Sequence, residues 1–147
     1  DALIGFNALA YVLPPLRSNT DKKALQEGLQ DGTIDAICSH HEPLAKTAKQ
    51  APFAECKPGI SNFDTFMGLA CQLVKEGILT PTQLVEKIAL NPAKIAGIEA
   101  SYHQTGGAVL VDPSLTWTVT KESMMSQGKN TPFINSELTG KVEQVYF

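Results

Sequence analysis

Gly28-Leu29-Gln30-Asp31-Gly32-Thr33-Ile34-Asp35-Ala36-Ile37-Cys38-Ser39-His40-His41-Glu42-Pro43 is the stretch that decides the fold class. A helix leads into it, starting at a Thr20 cap and running through about Gln30, with Ala24, Leu25 and Leu29 as a partial apolar face. Asp31-Gly32 stops that helix, because glycine accepts the left-handed backbone that helix ends favour. Thr33–Ser39 then has strand character: Ile34, Ala36 and Cys38 alternate with Asp35, Ile37 and Ser39. The run is apolar enough for a buried parallel strand, with Asp35 as the exception. His40–Pro58 follows, with Pro43, Pro52 and Pro58 and no sustained period. It reads as a long loop, and long loops in compact domains are often functional.

Helix, strand, long loop and helix in that order form the unit of a β/α barrel, in which the C-terminal end of each strand faces the active site. Upstream, Leu13-Pro14-Pro15-Leu16-Arg17 is extended, since two prolines remove donors and fix φ. Downstream, Ser61-Asn62-Phe63-Asp64 fits a capping box and opens a helix to about Glu76, with Phe66, Leu69, Ala70, Leu73 and Val74 inward. Thr80-Pro81-Thr82-Gln83 starts another, with proline at its first position and Leu84, Val85, Ile88 and Ala89 as its face. Asn91-Pro92 caps a third, short helix to about Ile95, closed by Gly97. Beyond it the character changes, and Gly107–Asp112, Leu115–Val119 and Lys141–Phe147 read as strands. The expected division is 1–98 for α/β material and 99–147 for all-β material.

The chain has 147 residues, 43% hydrophobic and 18% charged, which is ordinary globular composition and argues against disorder. A net charge of −3 without a basic cluster points away from nucleic acid and anionic lipid. No apolar run approaches a membrane span. There is no signal-peptide pattern, and Cys38, Cys56 and Cys71, odd in number and without a Cys-x-x-Cys, read as reduced thiols of a cytoplasmic protein. The chain begins at Asp1 without Met, and Ala2–Ala10 reads as entering mid-fold, as a fragment of a longer protein would.

Several constellations carry potential chemistry. His40-His41-Glu42 stands at a strand end, where a His pair beside a Glu suggests metal or acid–base work. Adjacent strand residues face opposite ways, however, and the only other histidine is His103, so histidines on a polar rim are the competing reading. Pro58-Gly59-Ile60 could present backbone N–H groups to an anion at a helix start, or be a plain turn. Arg17 could clamp a carboxylate or simply hold its loop. Asn130-Thr131-Pro132-Phe133 needs no more than a turn that buries Phe133.

Taken in order, these pieces resemble the dihydroorotase family. The resemblance is carried by Pro14-Pro15-Leu16-Arg17-Ser18, Gly28-Leu29-x-Asp31-Gly32-Thr33-Ile34-Asp35-Ala36-Ile37 and His41-x-Pro43. It continues through Ala51-Pro52-Phe53, Pro58-Gly59-Ile60, Leu84-Val85-Glu86-Lys87 and Asn91-Pro92-Ala93-Lys94-Ile95. Val111-Asp112-Pro113, Trp117-x-Val119, Asn130-Thr131-Pro132-Phe133 and Gly140-Lys141-Val142 complete it, over about Leu13 to Val142. It implies an α/β fold: the C-terminal part of an amidohydrolase-type β/α (TIM) barrel, then strands of a small β-sandwich domain. The family's His-x-His metal motif has no counterpart here.

The departures are informative. The family pattern places a substrate-binding Asn before Pro-Pro-Leu-Arg, and here that position is Leu13. Its Ala-Thr-Asp-His-Ala-Pro-His reads Cys38-Ser39-His40-His41-Glu42-Pro43-Leu44, so the metal-site Asp has become His40 and the substrate-loop His has become Leu44. Pro58 and Gly59 remain as substrate-loop positions by resemblance. The stretch Glu99–Gly107 is also short and lacks the family's Ala-Asp-Leu. His40 can still bind metal or take a proton, whereas leucine cannot hydrogen-bond, and an unpaired polar substrate group costs about 1–3 kcal/mol. The resemblance therefore implies a catalytically degraded, dihydroorotase-like protein of pyrimidine biosynthesis. It would be a structural partner of the aspartate carbamoyltransferase catalytic chain, or of further copies of itself, with no cofactor. The alternative is an active zinc-dependent dihydroorotase or other cyclic amidohydrolase, with His40 at the metal.

Overall fold

The computed structural model describes residues 5–98 and 107–146. The readings placed on Ala2, on His103 and on the shortened stretch before Gly107 lie outside the described residues. Two compact units interleave along the chain.

The first unit comprises Asp1–Arg17, Ser39–Phe66 and Thr118–Leu138. It is mostly loop, punctuated by single 3-10 turns at Ala8–Ala10, Lys46–Lys49 and Phe53–Glu55. Its interior is partly polar, with Ser61, Thr65, Asn130 and Thr131 buried beside Ala10, Cys56, Val119 and Met124. Such an interior is stable only if its polar groups are paired, and the Ser61 and Thr65 hydroxyls do find partners in Ser126 Oγ and in Asn62. The turn at 132–135 leaves Phe133 half-buried; Thr131, just before it, is the residue that is hidden.

The second unit comprises Ser18–Cys38, Met67–Trp117 and Thr139–Phe147. Helix α1 (Asn19–Asp31) is capped by Ser18, not Thr20. Ser18 Oγ accepts from Asp21 N–H while the Asp21 carboxylate accepts from Ser18 N–H, a reciprocal box that a threonine two residues later cannot make. Gly32 ends the helix in the left-handed region, as expected. Of its apolar residues only Leu29 is buried, and Leu25 lies on the surface. Helix α2 (Phe63–Lys75) supplies Ala70, Leu73 and Val74, which pack with Leu29, Leu79, Leu84, Ile34, Ile37 and Ile88 into the core.

Helix α3 (Pro81–Val85) opens with the expected Thr80/Gln83 capping box and Pro81 in its first turn. Asn91 does not start a separate helix. A π turn, Glu86–Leu90, carries the helix into α4 (Asn91–Ile95). Proline explains the turn: Pro92 has no N–H, and its ring clashes with the carbonyl four residues back. The Asn91 N–H reaches Glu86 O instead, and the Lys87 carbonyl, whose partner in the π register would be Pro92, accepts from Ile37 N–H at 2.9 Å.

That bond bears on the segment expected as a strand. Thr33–Ser39 has no strand assignment and forms no ladder among the described residues. A parallel strand exists only beside a neighbour, and here the polar backbone is met by a helix: Lys87 Nζ donates to Ile34 O and Asn91 Nδ2 to Asp35 O. The one bridge nearby pairs His41 with Ile60 in parallel. Among the described residues no barrel is visible.

Strands β1 (Ala108–Thr118) and β2 (Glu137–Tyr146) form a two-stranded antiparallel sheet. The two short strands expected at 107–119 are one. Pro113 does not interrupt it because, among the described residues, β1 has a free edge, where a missing N–H breaks no ladder, and Asp112 Oδ1 accepts from the N–H groups of Ser114 and Leu115. Replacing Leu84, 6% exposed in the core, by alanine is expected to cost about 2–5 kcal/mol. Val85→Ala beside it, 50% exposed, should stay within about 0.5 kcal/mol. Urea midpoints of the two variants check this, and equal losses would refute the placement.

Candidate functional site

The site is built on the turn that follows the Thr33–Ser39 segment. His40 adopts a left-handed backbone, φ 45°, which is uncommon away from glycine. Its Nε2 lies 3.0 Å from the carbonyl oxygen of Leu13, so the ring donates there. The Glu42 carboxylate stands 4.0 Å from the same nitrogen, both side chains about half exposed. His41 faces elsewhere. Its Nδ1 accepts from the backbone N–H groups of Asn62 and Phe63, at 3.1 and 3.0 Å. These are among the unpaired donors at the start of α2, so His41 caps that helix and its ring proton sits on Nε2. The expected capping box at Ser61 does not form. The Asp64 carboxylate instead accepts from Met125 and Ser126 N–H.

Asn130 ties the loops together. Its Nδ2 donates to Glu42 O and Gly59 O, at 3.0 and 3.1 Å, and its Oδ1 accepts from Leu44 N–H at 2.7 Å. Its own carbonyl accepts from Ser61 N–H at 3.0 Å. The residue is 4% exposed. Gly59 is fixed further by its N–H on Tyr11 O, 2.9 Å. Its φ is 124°, and a Cβ there would lie 2.7 Å from Glu42 Oε2 and 2.9 Å from Glu42 Cβ. Only glycine fits this approach. Gly128 is equally close to the loop, with a Cβ position 2.6 Å from Pro43 Cβ and 2.8 Å from Leu44 N.

The expected site positions thus come together. Leu13 meets His40, His40 meets Glu42, Glu42 meets Gly59, and Leu44 shares Asn130 with Gly59. Pro58 precedes Gly59 on the same loop, and Arg17 is on the surface of a neighbouring segment. Leu13 is 52% exposed and offers only its carbonyl to the cluster. Leu44 offers only its N–H. Close by, Lys49 Nζ donates to Tyr11 O at 3.2 Å. Burial pushes its pKa below the ordinary lysine value, and its neighbours Cys56 and Glu42 pull the other way.

Among the described residues no three His, Cys, Asp or Glu side chains group as metal ligands. His41 Nδ1 is committed to backbone, and His40 and Glu42 make two donors where a metal needs three or four. These residues alone do not fit a metal shell. The sequence singles out His41 and Asn130 but not their roles, a cap on α2 and a clasp on three backbone groups. An asparagine before Thr-Pro reads as a turn, and nothing local in it signals bonds to residues 71 to 88 positions away.

The chain is 43% identical over 145 residues to the dihydroorotase of Syntrophus aciditrophicus, which covers 97% of this chain and 34% of the relative. It is 40% identical over 145 residues to the dihydroorotase-like protein of Pseudomonas aeruginosa, with the same coverage. Its homologues are dihydroorotase and dihydroorotase-like proteins. The chain spans about a third of the length of these curated relatives. No family model matches it. Among solved structures it is similar to L-hydantoinase (dihydropyrimidinase) from Arthrobacter aurescens, TM-score 0.81 at 23% identity, covering 99% of this chain and 34% of that one. A D-hydantoinase gives TM-score 0.78 at 22% identity, covering 95% and 33%. The likeness shows the fold alone: the chain has the backbone of about a third of each of these two proteins.

Asn130→Leu would strip partners from Leu44 N–H, Glu42 O and Gly59 O together, a loss of roughly 2–5 kcal/mol. Gln127→Ala, on the surface three residues away, should change stability by less than about 0.5 kcal/mol. The comparison is made from urea unfolding midpoints. An Asn130→Leu variant as stable as Gln127→Ala would remove Asn130 from its role.

Proposed function

We propose that this chain is part of a dihydroorotase-like protein of pyrimidine biosynthesis that has lost hydrolytic competence and acts in the cytoplasm as a structural partner of the aspartate carbamoyltransferase catalytic chain. The observation that carries the reading is the state of the assembled cluster. At two of its positions, Leu13 and Leu44, only backbone groups remain to form hydrogen bonds, and the Leu13 carbonyl and the Leu44 N–H are already engaged within the protein. The His40 Nε2 is engaged by the Leu13 carbonyl and faces Glu42. A positioned acid–base group is worth about 10²–10⁴-fold in rate, and a substrate whose polar atoms meet leucine loses about 1–3 kcal/mol per unpaired group.

The loops are tied to one another by hydrogen bonds, which supports a retained structural role. Four backbone groups are held by the Asn130 residue, and α2 is capped by His41. A second reading is favoured by the identity to a protein named dihydroorotase: an active cyclic amidohydrolase whose metal ligands come largely from residues other than those described. The purified protein, supplied with zinc and assayed alone on dihydroorotate, separates the two. Turnover should fall at least about 100-fold below that of a competent dihydroorotase, and the protein should co-purify with the aspartate carbamoyltransferase catalytic chain. Efficient zinc-dependent turnover by the protein alone would overturn the proposal in favour of the second reading.

A further inference from the structure

Within the first unit, the loop from Pro43 to Gln50 and the segment from Lys121 to Ile134 enclose a cavity of about 950 Å³. That is within the size range of small-molecule sites. Leu9, Leu44 and Ile134 give it apolar wall, and four lysines line it: Lys46, Lys49, Lys121 and Lys129. No aspartate or glutamate does. The whole chain is acidic, with 12 Lys and Arg against 15 Asp and Glu. One third of its cations therefore gather on one concave surface with no acid among its lining residues.

Two of these lysines are anchored. Lys49 Nζ donates to Tyr11 O and lies 5.7 Å from the centre of the Tyr11 ring. Lys129 Nζ donates to Met124 O at 2.8 Å. An ammonium has three donors, so each anchored group keeps two for a ligand. Lys46 and Lys121 are exposed and make no hydrogen bond or ion pair among the described residues. Like charges held on one wall repel, and the repulsion grows as the wall is shielded from water. An anion bound between them reverses the sign of that interaction.

We propose that this cavity binds a small organic phosphate, with its apolar body against Leu9, Leu44 and Ile134 and its phosphate among the four ammonium groups. Phosphate is the class that fits the charge. It carries close to two negative charges at neutral pH, and lysine serves as a point-charge partner for it. A monocarboxylate would neutralise only one of the four cations.

Calorimetric titration of the purified protein with phenyl phosphate, benzoate and inorganic phosphate tests this. Saturable binding of phenyl phosphate is expected, about 10-fold tighter than either comparator and weakened in 0.5 M salt. The double variant Lys46→Glu/Lys121→Glu should weaken it at least about 10-fold with the thermal unfolding profile unchanged. If charge reversal disturbs that profile, Lys46→Gln/Lys121→Gln carries the same test, and Lys46→Arg/Lys121→Arg should retain binding. Absence of saturable phenyl phosphate binding, tighter binding of benzoate, or equal binding by the wild type and the glutamine pair would overturn the proposal. None of these outcomes depends on whether dihydroorotate is hydrolysed.

Discussion

The side-chain amide of Asn130 offers two donors and one acceptor group in a fixed plane, and all three are engaged by backbone. That constraint organises the first unit. Its loops have no ladder of their own to hold them, and buried backbone groups without partners are expensive. Aspartate has the acceptors but no donor for Glu42 O and Gly59 O. Leucine has neither. With the amide in place, the Glu42–Leu44 turn and Gly59 are drawn together, and Gly59 can come so close only because it lacks a Cβ. Gly128, two residues before Asn130, meets the other side of the same turn at Pro43 and Leu44. The packing and the hydrogen bonds therefore specify the same arrangement.

The second unit depends on a different omission. Pro92 withholds one N–H, and the consequence runs through the π turn to the segment at Thr33–Ser39. A carbonyl freed at Lys87 is occupied by Ile37 N–H, and the side chains of Lys87 and Asn91 meet the carbonyls of Ile34 and Asp35. Lys87 is 6% exposed, so its ammonium depends on such a partner. Asn91-Pro92 thus acts as more than punctuation. It turns one face of a helix into a set of donors and an acceptor for a neighbouring chain segment.

What was legible in the sequence was what a few neighbouring residues decide. Thr80-Pro81-x-Gln83 and the stop at Gly32 each depend on contacts within about four positions, and both appear where expected. Ser18 was displaced to Thr20 because either hydroxyl could cap, and only the reciprocal bond with Asp21 chooses between them. The strand at Thr33–Ser39 was misread for a deeper reason: alternation records which faces are apolar, while a ladder needs a neighbour that the pattern does not name. The continuity of β1 through Pro113 likewise depends on its having a free edge among the described residues. Of the positions that the resemblance singles out, Leu13, His40, Leu44 and Gly59 meet directly or through one intervening residue, a proximity that no local pattern states. The roles of Asn130 and His41 were not legible either, since their work is done on backbone groups far away in sequence.

That distinction bears on how a site can lose its chemistry without losing its shape. The bonds that hold these loops go to Leu13 O, Glu42 O, Leu44 N–H and Gly59 O, all of them backbone. Backbone groups survive almost any side-chain replacement. A polar residue at position 13 or 44 can therefore give way to leucine while the carbonyl or amide beneath it stays paired. His40 adds a bond of its own, since its imidazole reaches the Leu13 carbonyl. The framework thus places little demand on the side chains that would do chemistry. On the reading proposed for this chain, such a surface can be kept for assembly after hydrolysis has gone, because backbone groups and Asn130 supply most of the bonds that shape it and, of the changed positions, only His40 adds a side-chain bond.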